Sequence, residues 1–211
     1  MLEKEQHSFE YDRLVATRVV NLHGVVTAEM ANQIVMEFDF LLTKSKTLPI
    51  VLDIDSVGGN VSITENGTAG YKILKTIENC PVPVYCKIHC AISMAYVIAS
   101  ACDKGHRYVV DYYGDAMNMH HDLSSGIGQS KFKDIKDGVK RIEQTHNVLV
   151  SILSKNTGRT KDEIENLWYN VGDCYQSAQE MIDFGAADKI YTKDTNLLAD
   201  ATSSANIDDL L

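Results

Sequence analysis

Two short, almost unbroken apolar runs constrain this chain more than any other feature. Pro49 to Ile54 and Val82 to Ile88 are rich in β-branched residues and lack the polar alternation of a strand with one wet face. Such runs read as strands buried on both sides, the condition met by a parallel sheet covered by helices. The first ends in Asp55-Ser56-Val57-Gly58-Gly59, a strand entering a glycine turn. Helical spacing lies between and around them. Thr27 precedes apolar positions at Met30, Ile34, Phe38, Leu41 and Leu42, and a further helix fits Ala69 to Glu78. Leu14 to Leu22 reads as a strand before the first of these helices. Small and apolar residues from Ser93 to Ala101 suit a buried helix, and strand character returns at Arg107 to Val110 and Ala116 to Met119. Strand and helix alternate, so the fold class expected is α/β.

Beyond these units, Phe132, Ile135, Val139, Ile142, Leu149, Ile152 and Leu153 recur at helical spacing up to Gly158, with charged residues on much of the other face. This helix is long enough to extend past a globular body. Helices around Lys161 to Trp168 and Ala178 to Phe184 and a strand at Lys189 to Thr192 follow. From Asp194 onward the composition is polar and aperiodic, which predicts a mobile acidic tail over 194–211. A chain of 211 residues, 45% hydrophobic, has the size of one domain, here 11–193 after a short polar segment 1–10.

Charge and cysteine usage exclude several functions. A formal net charge of −9 without any basic cluster opposes nucleic-acid binding, which needs cationic groups to neutralise phosphates. The longest apolar stretch, Ala91 to Cys102, contains Ser93 and Ser100 and is too short to cross a bilayer. The first ten residues carry no export signal, so a cytoplasmic location is expected. Five cysteines without C-x-x-C spacing suggest neither a disulfide framework nor a zinc ribbon, and Cys86 and Cys90 read as small buried hydrophobes.

Three places carry possible chemistry, each with an ordinary alternative. Gly58-Gly59 satisfies a turn needing positive φ, or turns a glycine N–H into a cleft as an oxyanion donor. Ser93 caps a helix with its hydroxyl, or is a nucleophile with the Met94 N–H beside the forming oxyanion. His120, followed by His121 and Asp122, is a core or surface imidazole or part of a metal site; His89, His106 and His146 share no metal-ligand spacing with it, so no metal is expected. Asp173, in a Gly-Asp turn, passes on its own as a solvent-facing loop residue and is not one of these three.

In order along the chain stand Y-D-R-L-V at 11–15, M-A-N-Q-I-V from Met30, S-V-G-G at 56–59, A-I-S-M-A at 91–95 and K-G-H-R-Y at 104–108. They are followed by N-M-H-H-D-L-S-S-G-I-G-Q at 118–129, T-G-R at 157–159, D-C-Y-Q-S-A at 173–178 and F-G-A-A-D at 184–188. In this order and separation they resemble the proteolytic subunit family of Clp proteases, ClpP, from about Tyr11 to Thr192. The resemblance implies a ClpP/crotonase-type fold of repeated strand–helix units with a protruding handle helix. It also implies a serine endopeptidase with nucleophile Ser93, base Ser93's partner His120, and orienting carboxylate Asp173. Oxyanion donors would be the N–H groups of Gly59 and Met94. Substrate would bind as an added strand between Asn60 and Val61 on one side and Gly126, Ile127 and Gly128 on the other. The implied assembly is a heptameric ring, stacked in pairs around a chamber and fed unfolded polypeptide by an AAA+ unfoldase. That partner consumes the ATP, and this chain needs no cofactor. Val57 replaces the family's proline, His89 its glycine and Gly172 its arginine. These departures leave a catalytically inactive ring subunit as the alternative, with a crotonase-type acyl-CoA enzyme behind it.

Overall fold

The computed structural model describes residues 2–61, 68–125 and 131–197, with side chains described from Glu10 onward. Strands β1 (Val19–Val26), β2 (Ile50–Gly59), β3 (Val84–Ala91), β4 (Arg107–Val109) and β7 (Lys189–Ile190) form one parallel sheet in that order. Strands β5 (Asn118–His120) and β6 (Cys174–Gln176) form a separate antiparallel pair. The helices are α1 (Leu2–Thr17), α2 (Ala28–Lys44), α3 (Ala69–Glu78), α4 (Met94–Ser100), α5 (Phe132–Thr157), α6 (Lys161–Asn170) and α7 (Ala178–Phe184). This is the α/β architecture that the two buried runs demand. Among the described residues no helix is long and apolar enough to cross a membrane.

The apolar periodicities translate into packing. On α2, Ala31, Ile34, Phe38 and Leu41 are buried against a core that includes Val20, Leu22, Leu52, Ile54, Val84, Cys86 and Ile88 from the sheet. The Thr27 hydroxyl accepts from the Met30 N–H at 3.2 Å, the cap its position predicts, contributing about 1 kcal/mol to the helix. In α5 the buried residues are Leu149, Val150 and Leu153, all in its last third, while Phe132 at its start is 72% exposed. The helix is therefore anchored at one end, as a handle requires.

Two elements differ from the reading of the sequence. Leu14 to Thr17 close helix α1 instead of opening a strand, and β1 begins only at Val19. Arg18 makes the break, with φ of 51°. Its buried guanidinium donates to the carbonyls of Leu41, Leu48 and Pro49 at 3.2, 3.0 and 2.8 Å, tying the end of α2 to the start of β2. The other difference is β6, a three-residue strand too short to leave a periodic signal.

A second buried arginine locks the far side of the sheet. Arg107, 2% exposed, pairs with Asp188 through Nη2–Oδ1 at 2.6 Å and Nε–Oδ2 at 2.8 Å, and Nη1 donates to the carbonyls of Ser100 and Asn156. Asp188 Oδ2 also accepts the N–H groups of Gly105 and Arg107. Burial works against the Asp188 charge, but the hydrogen bonds and charge of Arg107 outweigh it and hold the carboxyl below its ordinary pKa. Truncating one partner of such a pair costs about 3–5 kcal/mol because the other charge stays buried. Asp188→Ala is expected to lower the urea midpoint accordingly, and a loss under about 1 kcal/mol would contradict this account. The folded pKa lies below the unfolded one. The pair's pH-dependent stabilisation is thus complete above the unfolded carboxylate value of about 3.9 and is lost as pH falls through the lower folded value.

Candidate active site

The site forms where the carboxyl ends of β2 and β3 meet the short pair β5–β6. At the end of β2, Ser56 Oγ donates to the Gly24 carbonyl at 2.6 Å and accepts the Gly58 N–H at 3.1 Å. Gly58, with φ of +82°, then passes directly over the segment that follows β3. A Cβ at this position would meet the Ile92 carbonyl oxygen and lie 2.8 Å from Ser93 Cβ and 2.9 Å from the Met94 nitrogen. Only glycine allows both the backbone angle and the approach. Gly59 faces the other way in this respect, its Cβ direction closed by the backbone of Val26.

Ser93 stands on a strained turn between β3 and α4, with φ 57° and ψ −122°. A non-glycine residue in this region costs on the order of 1–3 kcal/mol and is held there by its surroundings. The surroundings are explicit. The Ser93 N–H donates to the Met119 carbonyl at 2.8 Å, and Ile92 bridges to Met119. Although Ser93 occupies the N-cap position of α4, its hydroxyl makes no capping hydrogen bond. The capping explanation of this serine therefore fails, and Ser93 lines a cleft of about 130 Å³. Gly59, Val61, Met94, His120, His121, Leu123, Ser124 and Trp168 are among the residues that share this cleft.

His120 follows Met119 in β5, lines the same cleft as Ser93 and is 1% exposed. Phe184 stacks on the imidazole at 4.6 Å between centroids and Tyr96 lies at 5.0 Å. Burial first, and then the neighbouring His121, push its pKa down to about 4, so the ring is neutral at physiological pH. Its Nδ1 accepts the indole N–H of Trp168 at 2.8 Å, and its Nε2 is buried without a hydrogen-bond partner among the described residues.

Asp173 is brought close in the chain but not to this ring. The β5–β6 register sets Cys174 opposite His120, so one residue further Asp173 faces His121. Side chains alternate across a strand, which puts Asp173 on the side away from His120. Its carboxylate is 60% exposed, with Oδ1 4.0 Å from His121 Nδ1. The structure thus gathers Gly59, Ser93, Met94 and His120 and leaves Asp173 outside the cleft. Asn60 donates to the Val26 carbonyl and accepts the Gly70 N–H, and the Val61 carbonyl accepts from Tyr71. Gly126, Ile127 and Gly128 lie outside the described residues.

Two residues near the site were not singled out from sequence. Trp168 registered only as the end of a helix. His146, on α5, binds Asp122 at 2.6 Å through Nδ1 and Glu165 at 3.3 Å through Nε2, and meets the Trp168 ring edge-on at 5.6 Å. Burial opposes its charge, yet the two carboxylates outweigh burial and raise its pKa. The three departures from the family pattern are also accommodated. Val57 is 57% exposed. His89 lies on the other face of the sheet, with Nδ1 at 2.8 Å from the Tyr112 hydroxyl and Nε2 at 3.3 Å from Asp53. Gly172 has φ of +81°, a left-handed turn after α6 that disfavours a side chain. No cluster of three or more metal-ligating side chains is placed to hold an ion among the described residues.

The family model for Clp protease matches residues 3–194. The chain belongs to the Clp protease family. It is 31% identical over 196 residues to the ATP-dependent Clp protease proteolytic subunit 2 of Chlamydia muridarum, covering 90% of each chain. The proteolytic subunit of Bdellovibrio bacteriovorus is 32% identical over 191 residues, 89% of this chain and 85% of the relative. That of Streptococcus pneumoniae is 30% identical over 182 residues, 85% of this chain and 87% of the relative. Within this Clp protease fold, the neutrality of His120 has a direct test. Its imidazole protons, followed by NMR, are expected to stay unshifted until the pH nears the folded pKa of about 4. A midpoint near the ordinary value of about 6.5 would contradict the burial seen here.

Proposed function

We propose that this chain is the serine endopeptidase subunit of a Clp-type compartmental protease, with Ser93 as nucleophile and His120 as general base. The observation that carries the reading is the Ser93 turn: a strained backbone, a hydroxyl that caps no helix and a neutral imidazole lining the same cleft, in a Clp protease family member. A nucleophile held in a sharp strand-to-helix turn is exposed to an incoming carbonyl, and the strain serves to present it. Ser93 Oγ attacks the scissile carbonyl, and its proton passes to His120 Nε2 once that nitrogen is unprotonated. The backbone N–H groups of Met94 and Gly59 stabilise the oxyanion, each hydrogen bond strengthening as charge develops. His120 then protonates the leaving amine, and water repeats the sequence on the acyl-enzyme.

In the competent state Asp173 accepts the Nδ1 proton of His120, fixing the tautomer and steadying the imidazolium. Substrate runs as an extended strand along Val61 and the segment Gly126–Gly128, read mainly by main-chain hydrogen bonds. The chain works as heptameric rings stacked in pairs, the protruding α5 meeting its counterpart on the other ring. An AAA+ unfoldase supplies unfolded polypeptide and spends the ATP. The names of the relatives, proteolytic subunits of ATP-dependent proteases, support this assignment over an acyl-CoA enzyme.

A fluorophosphonate probe is expected to label Ser93 in the assembled protein. Ser93→Ala should abolish labelling and lower peptide hydrolysis by at least about a thousandfold, with assembly unchanged in native mass spectrometry. A particle that assembles yet neither labels nor cleaves is a structural ring subunit, and the proposal fails.

A further inference from the structure

The ring nitrogen that the proposed relay needs on its carboxylate side is already occupied. Indole nitrogen is a donor only, so the 2.8 Å contact from Trp168 Nε1 makes His120 Nδ1 an acceptor without a proton. In a neutral imidazole the proton then sits on Nε2, the nitrogen that must be empty to receive one from Ser93. Nε2 is buried without a hydrogen-bond partner among the described residues, and Asp173 is turned toward His121. The pKa of about 4 leaves no imidazolium at neutral pH that would blur this distinction.

We propose that Trp168 is the residue that sets the His120 tautomer: its indole N–H holds the imidazole in the form unable to deprotonate Ser93, and activity begins when the Asp173 carboxylate replaces the indole at Nδ1. The proposal rests on Ser93 and His120 being the catalytic pair. The two competitors for Nδ1 lie five residues apart, Trp168 on the last turn of α6 and Asp173 in the turn between its C-cap at Val171 and β6. Asp173 reaches Nδ1 by turning from the His121 side of the β5–β6 pair to the His120 side as the indole withdraws. The indole is backed by the edge-on imidazole of His146, itself clasped between Asp122 and Glu165, so the resting position is supported from α5 and from the loop after β5. Trp168 is a positioning residue, since it meets the base and not the reacting bond.

The test separates tautomer from activity. With ¹⁵N-labelled histidine, two-bond ¹⁵N–¹H spectra of the full chain at neutral pH are expected to show His120 with bare Nδ1 and protonated Nε2. Trp168→Phe retains an aromatic ring without the donor. In that variant His120 is expected to shift toward Nδ1–H, and fluorophosphonate labelling of Ser93 to accelerate up to about tenfold, the equivalent of one net hydrogen bond. Adding Asp173→Asn should remove the gain. A wild-type spectrum with Nδ1 protonated overturns the inference, whether or not the variant folds, and so does a folded Trp168→Phe protein with unchanged labelling rate. Absence of labelling in every form, with the tautomers as stated, would overturn the peptidase reading and leave Trp168's control of the ring standing.

Discussion

The close passage of the Gly58 backbone over Ile92, Ser93 and Met94 is the constraint on which the rest of the site depends. It joins the end of β2 to the turn after β3 without a side chain between them. That contact sets the glycine turn against Ser93, with Gly59 and Ser93 lining one cleft. It also leaves the serine no room to relax into an ordinary helix start, so its backbone stays at φ 57°. The hydrogen bond from Ser93 N–H to Met119 completes the clamp from the opposite side and carries His120 into the same cleft. A parallel sheet makes this possible because its strands end together, and the segments leaving them crowd into one crevice.

His120 illustrates how the same burial serves two ends. Packing between Phe184 and Tyr96 keeps the ring neutral, which a base must be before it can accept a proton. In that apolar setting, however, each ring nitrogen depends strongly on whichever partner reaches it. The identity of the Nδ1 partner therefore decides the chemistry of Nε2, on the far side of the ring. The Trp168 indole donates to that atom, whereas a carboxylate placed there would accept from it.

Much of this was legible in the residues themselves. The buried runs predicted the sheet, the spacing after Thr27 and before Gly158 predicted the helices, and the ordered short motifs pointed to the family. Ser93 could be named as a candidate, but whether it caps a helix with its hydroxyl required the structure. The Leu14–Leu22 reading failed because apolar alternation there is shared between the end of a helix and the start of a strand, with the break at Arg18 serving contacts far along the chain. Strand β6 gave no periodic signal at three residues, yet its register decides which histidine Asp173 faces. Trp168 was invisible as a hydrogen-bond donor, since its partner lies 48 residues away and apolar spacing says nothing about an indole proton.

Helix α5 carries a consequence of its own. Its first two turns find little of their own chain to pack on, and an isolated helical arm in water is only marginally stable. Whatever covers that arm contributes to its winding, so the arm's order rises with the concentration of its cover by mass action. Dilution would then loosen the outer arm before it disturbs the sheet, making the extremity furthest from Ser93 the first to register the loss of a neighbour.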